Sequence, residues 1–166
     1  MENKEEKNAK VSSAYSSPIG EIVVETRGNA IIGVVIEDAL SPIEKLGKIS
    51  EPFLGLFRLF DRYFAGERVD FRKVKVTLEG TDFQVKLWQE LRRIPYGEVV
   101  TYGELAQRIG IANGARAVGG ACAKNPLPII VPCHRVLPSC RVGGGIGGYS
   151  AGRGVEVKRF LLELEA

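Results

Sequence analysis

The sequence holds one histidine, three cysteines, one methionine and one tryptophan in 166 residues, and each scarcity excludes something. An odd number of cysteines with no apolar leader ahead of them does not read as a disulfide framework. There is no Cys-x-x-Cys pair, and His134 abuts Cys133, too close for the usual zinc-ligand spacing. Neither a metal nor a cofactor is therefore expected. No apolar run approaches the ~20 residues that a membrane-spanning helix needs. Met1 to Lys10 is nearly all charged or polar and lacks the apolar core of a secretory signal. It reads as a solvated tail, and a cytoplasmic location is expected with no membrane partner.

What is present is an ordinary globular balance, 45% hydrophobic and 26% charged, enough for one compact domain or two small lobes sharing an interface. The net charge of +3 permits nucleic-acid binding only if the cations gather on one face.

Residues 21–37, EIVVETRGNAIIGVVIE, place two β-branched runs around Arg27-Gly28-Asn29, a hairpin signal. Residues 53–64, FLGLFRLFDRYF, have apolar side chains at helical spacing and end before Ala65-Gly66. In FRKVKVTLEG, Phe71, Val74, Val76 and Leu78 alternate with charges, which suits a third strand. From Thr81 the character turns helical. Thr81 with Gln84, and Thr101 with Glu104, each have the spacing of a capping box. Gly110 stops the second of these helices, and Asn113 is the expected N-cap of another running through Lys124. Two short helices around a glycine-containing turn have the shape of a helix-turn-helix. Val157, Phe160, Leu161 and Leu164 give the face of a C-terminal helix.

The chemistry concentrates in residues 129–136, IIVPCHRV. An apolar run and a proline deliver Cys133 to a stiff, buried position with His134 next to it. A thiol is a strong nucleophile only as thiolate, so it needs a base or a positive field. His134 suits that role, with a bridging water where adjacent side chains point apart. A third group must orient the imidazole, and Glu163 and Glu165 are both candidates. A buried structural cysteine is the plainer reading of the same residue. Residues 114–124, GARAVGGACAK, form an unusual helix, since mid-helix glycines cost about 1 kcal/mol each relative to alanine. Spacing alone favours tight packing inside the protein; the alternative is a surface that presses into a DNA groove. The glycine-rich stretch 141–154 lacks the Gly-Lys-Ser/Thr of a phosphate loop and fits better as a wall over the Cys133 pocket.

Taken together, GTDFQVKLWQELRRIPYGEVVTYGELA, ARAVGGACAKNPLPIIVPCHRV, GGYSAG and VKRFLLELE resemble the O6-alkylguanine-DNA alkyltransferase family. The resemblance is strong from Thr81 to Glu165, and YSSPIGEIVVETRGNAIIGVVIE and RYFAGE resemble the family's less specific N-terminal part. It implies an α+β fold: a small α/β lobe over 11–79 with a short antiparallel, RNase H-like sheet. A mostly helical lobe over 80–166 would carry a winged-helix-like helix-turn-helix. It implies DNA repair by irreversible, single-turnover transfer of an alkyl group from O6-alkylguanine in duplex DNA to Cys133, with O4-alkylthymine a further substrate to test. His134 would take the thiol proton through a water and Glu165 would orient it. Asn125 would brace the turn into the active-site segment, and Tyr102 would protonate the departing guanine. The Ser150 backbone N–H would bond O6, Tyr149 would wall the pocket, and the carbonyls of Cys133 and Val136 would hold the exocyclic amine. The helix 114–124 would lie in the minor groove as a monomer's contact to the nucleoid, presenting Ala115, Ala117 and Gly119. Tyr102 would stand beside it, and Arg116 would fill the gap left by the flipped base.

Two departures stand out. Gly152-Arg153-Gly154 is about two residues longer than the family pattern, beside an unusual glycine run, and no four-cysteine zinc module is present. Three rivals are distinguishable by experiment: a Cys-His-Glu hydrolase that turns over, a lesion binder without transfer, and a sequence-specific helix-turn-helix regulator.

Overall fold

In a computed structural model of the chain, the described residues are 9–38, 49, 51–139 and 145–166. Most of the expected tail (residues 1–8) and part of the glycine run, with Cys140, lie outside them. The sheet of the N-terminal lobe is antiparallel, in the order β1 (Lys10–Ser17), β2 (Gly20–Arg27), β3 (Ala30–Glu37). The expected hairpin forms, with Arg27 opposite Ala30 and Gly28 at φ 61° supplying the left-handed turn. Ile22, Val24 and Thr26 of β2 face the core. On β3 the buried set changes phase, from Ile31 to Val34 and Ile36. The register shift opposite Glu25 and Thr26 inserts one extra residue, which turns the rest of the strand over.

Helix α1 (Phe53–Phe64) lies where the periodicity places it and buries Phe53, Leu56, Phe60 and Tyr63. The third strand expected at Phe71–Leu78 does not form. Phe71–Lys73 is a single 3-10 turn, and the following segment makes one bridge, Val76 to Ile31. Its carbonyls are claimed elsewhere: Arg92 Nη2 donates to the carbonyls of Phe71, Arg72 and Val74 at 3.1, 2.9 and 2.9 Å. The third strand is β1 instead.

Both capping boxes form in the C-terminal lobe, on α2 (Asp82–Leu91) and α3 (Tyr102–Arg108). Gly110, at φ 82°, stops the second. Helix α4 (Ala115–Ala123) follows with Gly114 at its N-cap. Asn113, expected to cap it, sits at φ 56°, whereas a capping residue needs extended backbone to aim its side chain into the first turn. A two-stranded parallel ladder joins β4 (Val100–Thr101) to β5 (Val136–Leu137), and α5 (Val155–Leu164) closes the fold. The lobes share one core. Val34 N–H donates to the Pro126 carbonyl across the join at 2.9 Å, and Tyr63 of α1 packs edge-on against Tyr96. Among the described residues no helix is long and apolar enough to cross a membrane.

Candidate active site and DNA-facing helix

The segment after α4 holds Cys133 by a web of local bonds. Asn125 Nδ2 donates to the Val131 carbonyl at 2.7 Å and to Cys133 Sγ at 3.1 Å, while its Oδ1 accepts from Leu127 N–H at 2.9 Å. One amide thus folds the Leu127–Val131 turn and touches the sulfur it delivers. Ile129 in that turn sits at φ 74°, a left-handed conformation that a β-branched residue adopts only where its surroundings hold it there. Cys133–Arg135 then forms a 3-10 turn leading into β5.

Cys133 is 6% exposed and lines a cavity of about 360 Å³ with Tyr102, Gly119, Cys122, Ala123, Gly148, Tyr149 and Ser150. Burial pushes its thiol above the ordinary value, and the Asn125 amide and the Lys158 ammonium pull it back. Lys158, fully buried, donates to the Val136 carbonyl at 2.7 Å and the Gly148 carbonyl at 3.3 Å. Burial lowers its own affinity for a proton, and the two nearby thiols oppose that. Tyr102, pushed up to about 12 by burial and the two thiols, stays protonated at neutral pH and presents a proton to the cavity.

Behind the thiol, His134 is wholly buried with Nε2 at 2.8 Å from Glu165 Oε1. An ionised carboxylate only accepts, so Nε2 carries the hydrogen and Nδ1 the lone pair. Nδ1 is buried and has no hydrogen-bond partner among the described residues. Burial holds the imidazole below its ordinary value, with Glu165 pulling the other way. Burial opposes the charge on Glu165 too, yet His134 and Arg135 hold it well below the usual carboxylate range. Arg135 is bidentate to Glu165, at 2.8 and 2.9 Å, and Tyr63 OH donates to Oε1 at 2.6 Å. Gly97, at φ 78°, passes so close that a Cβ there would lie 2.8 Å from the Glu165 carbonyl oxygen. Of the two acids considered, Glu165 meets the histidine; Glu163, in α5, makes no such contact among the described residues.

The remaining expected residues fall in three places. Asn125, Tyr102, Tyr149, Ser150 and Gly119 gather round Cys133. The Val136 carbonyl already accepts from Lys158, leaving one lone pair for a base amine. Ala115, Arg116 and Ala117 are exposed on α4, whose buried side is Val118, Ala121 and Cys122. A Cβ on Gly120 would meet nothing within 4 Å, and one on Gly119 only the Tyr102 ring, at 3.9 Å. The glycines are therefore not explained by packing inside the protein; they keep an outward face bare, with Arg116 standing from it.

Tyr63, Arg135, Lys158 and Cys122 were missed as site residues. Arg135 belongs to the IIVPCHRV run and Tyr63 to RYFAGE, but nothing in the local pattern distinguishes them. Gly152, Arg153 and Gly154 form the turn that leads into α5. There a Cβ on Gly152 would lie 2.8 Å from Ile36 of the other lobe, and Arg153 reaches Asp38 at 3.5 Å.

Residues 10–78 match the family described as "6-O-methylguanine DNA methyltransferase, ribonuclease-like domain", and residues 82–166 match "6-O-methylguanine DNA methyltransferase, DNA binding domain". The chain is 46% identical over 154 residues to the methylated-DNA–protein-cysteine methyltransferase of Haemophilus influenzae, covering 91% of this chain and 83% of that one. Its fold is similar to the crystal structure of Mycobacterium tuberculosis O6-methylguanine methyltransferase, with a TM-score of 0.76 and 38% identity, over 95% of this chain and 93% of the other. A structure of Mycobacterium tuberculosis OGT in complex with DNA matches with the same TM-score of 0.76 and 38% identity, over 93% and 92%.

Proposed function

The chain belongs to the 6-O-methylguanine DNA methyltransferase family, and from that premise we propose that it repairs DNA by moving the alkyl group of O6-alkylguanine onto its own Cys133, once per molecule. The observation that carries this reading is the His134 pair. Its Nε2 is committed to Glu165 and its Nδ1 is free, one residue from a thiol that lines an open cavity.

The chemistry follows from that arrangement. The thiol is neutral at rest because it is buried. Its proton passes through a water to His134 Nδ1, and Glu165 stabilises the imidazolium that forms. The thiolate, held by the Asn125 amide and facing the Lys158 ammonium, attacks the alkyl carbon. The carbon–O6 bond breaks, its electron pair stays on the guanine, and Tyr102 supplies a proton to the leaving base. The carbonyls of Cys133 and Val136 and the Ser150 N–H bind the base edge, while Tyr149 walls it. The Ser150 hydroxyl, which donates to the Ala123 carbonyl at 2.9 Å, ties that wall to α4. A thioether is a poor leaving group and no second nucleophile regenerates the cysteine, so each molecule acts once.

The bare face of α4 supports minor-groove binding to duplex DNA by a monomer, with Ala115, Ala117 and Gly119 against the groove. Arg116 takes the place of the base flipped into the cavity, at a cost of a few kcal/mol. O4-alkylthymine presents the same alkyl–oxygen carbon and is the second substrate to assay.

The test is mass analysis after incubation with duplex DNA carrying O6-methylguanine. The expected result is one methyl group on the Cys133 peptide, absent in Cys133→Ser. Repair that survives that substitution, or more than one product per protein molecule, sinks the proposal; turnover points to the hydrolase instead.

A further inference from the structure

Among the described residues, two buried polar atoms of residues that adjoin Cys133 have no hydrogen-bond partner: His134 Nδ1 and the Tyr149 hydroxyl. A buried polar atom left unsatisfied is costly, and each of these two residues adjoins Cys133, His134 as its chain neighbour and Tyr149 across the cavity that the thiol lines. Tyr149 lines the Cys133 cavity. Its residue is partly exposed, yet its hydroxyl is fully buried, so the ring edge forms the wall and the oxygen points inward. The two chain neighbours of Tyr149 are tied down: the Gly148 carbonyl accepts from Lys158 Nζ, and the Ser150 side-chain hydroxyl donates to the Ala123 carbonyl. These ties anchor the segment that carries the phenol. The hydroxyl lies in the field of Cys133 and Glu165, which with burial keep the phenol protonated far above neutral pH, and it acts in turn on Tyr63. Cys133, Glu165 and Tyr63 all surround His134: the first precedes it in the chain, the second bonds it, and the third bonds the same carboxylate oxygen.

We propose that Tyr149 is a positioning residue of the alkyl transfer, its hydroxyl holding the water that carries the proton from Cys133 Sγ to His134 Nδ1. This rests on the alkyl-transfer reading and deepens it. The S–H bond breaks as a water O–H forms; the other water O–H breaks as Nδ1–H forms. Tyr149 keeps its own proton throughout. The water gains a third partner, as buried waters have, and both orphaned atoms are satisfied at once. The other groups facing the thiol are Lys158 on α5, Cys122 on α4 and Tyr102 on α3. Among these Lys158 is the one base, and its Nζ is already committed to two carbonyls. The phenol wall reads as packing from sequence; only the buried, unpartnered oxygen reveals the second role.

The experiment compares the full-length protein with Tyr149→Phe, which keeps the wall and removes the oxygen. Single-turnover methyl transfer from an O6-methylguanine duplex is followed across pH, together with duplex affinity. Thiolate absorbance of unreacted minus methylated protein is titrated in parallel. The expected result is a transfer rate at neutral pH down by about tenfold. The acidic limb of the profile and the thiolate titration both move up by about one unit, which is the same tenfold, with duplex affinity unchanged. A 3-fluorotyrosine at 149, which keeps the hydroxyl, retains the wild-type limb. A phenylalanine variant with an unmoved limb, whether its rate is normal or uniformly lowered, overturns the proposal and leaves Tyr149 a wall. Wild-type protein that takes up no methyl group refutes the alkyl-transfer reading itself, a distinct outcome.

Discussion

Tyr63 and Glu165 stand 102 residues apart and are joined by a buried 2.6 Å hydrogen bond, from a helix of the N-terminal lobe to the residue that caps α5. The acceptor oxygen is the one that meets His134, so the N-terminal lobe reaches into the candidate active site through this phenol. A hydrogen bond to a charged group contributes about 1.5–3 kcal/mol. Tyr63→Phe should therefore lower unfolding stability by about that amount, read by urea denaturation, and slow alkyl transfer while leaving duplex affinity unchanged. A variant as stable as the parent shows that Arg135 and His134 hold the carboxylate unaided.

Glu165→Gln tests the network more severely. It keeps the shape but leaves the Arg135 guanidinium, 5% exposed, without its counter-charge, and breaking a buried pair from one side costs about 3–5 kcal/mol. It also leaves the imidazolium without the carboxylate that stabilises it. Transfer should fall by on the order of 100-fold, the scale of one lost general-base contribution. Denaturation and single-turnover assays separate the two losses, and an undiminished rate would remove Glu165 from the proton relay.

Stability should fall with acid, and the sign follows from two groups. His134 binds its proton more weakly folded than at its ordinary 6.5, and Glu165 more weakly than at its ordinary 4.5. In both cases the unfolded chain takes up protons first, so acid favours unfolding. Stability should therefore be level near neutral pH, decline below 6.5 as His134 is called on to charge, and decline more steeply below 4.5. Melting temperature against pH checks this, and Glu165→Gln should flatten the lower part. A profile unchanged down to about pH 4 contradicts the assignment.

These relationships also explain what the sequence could and could not disclose. The hairpin at Gly28, helix α1 and both capping boxes depend on residues a few positions apart, so local patterns suffice. Strand β1 went unseen because its core-facing set includes Ser13, 1% exposed, which breaks the apolar alternation. Phe71–Leu78 has that alternation but lends the carbonyls of Phe71, Arg72 and Val74 to Arg92. Cys133 and His134 were legible as neighbours, and Glu165 was one of two acids near the right helix end. Tyr63 and Lys158 act on partners 102 and 22 residues away. A buried lysine is rare enough that no pattern anticipates it; without the resemblance to known alkyltransferases, the bare face of α4 too would have read as packing.

That face supplies the last prediction. Gly120 is exposed, with open space where a Cβ would point, so Gly120→Ala should stabilise the fold by about 0.5–1 kcal/mol through helix propensity. If the face lies in a DNA groove, bulk there carries the opposite consequence for repair. Gly120→Leu should fold normally and react normally with free O6-benzylguanine, yet repair duplex DNA more slowly through weakened binding. Arg116→Ala should show the same split for a different reason, because it removes the side chain that fills the gap left by the flipped base. The two are told apart by lesion context: a lesion in single-stranded DNA should rescue Arg116→Ala, where no stack needs filling. Equal losses in duplex and free-base assays for both variants would move the DNA interface away from α4.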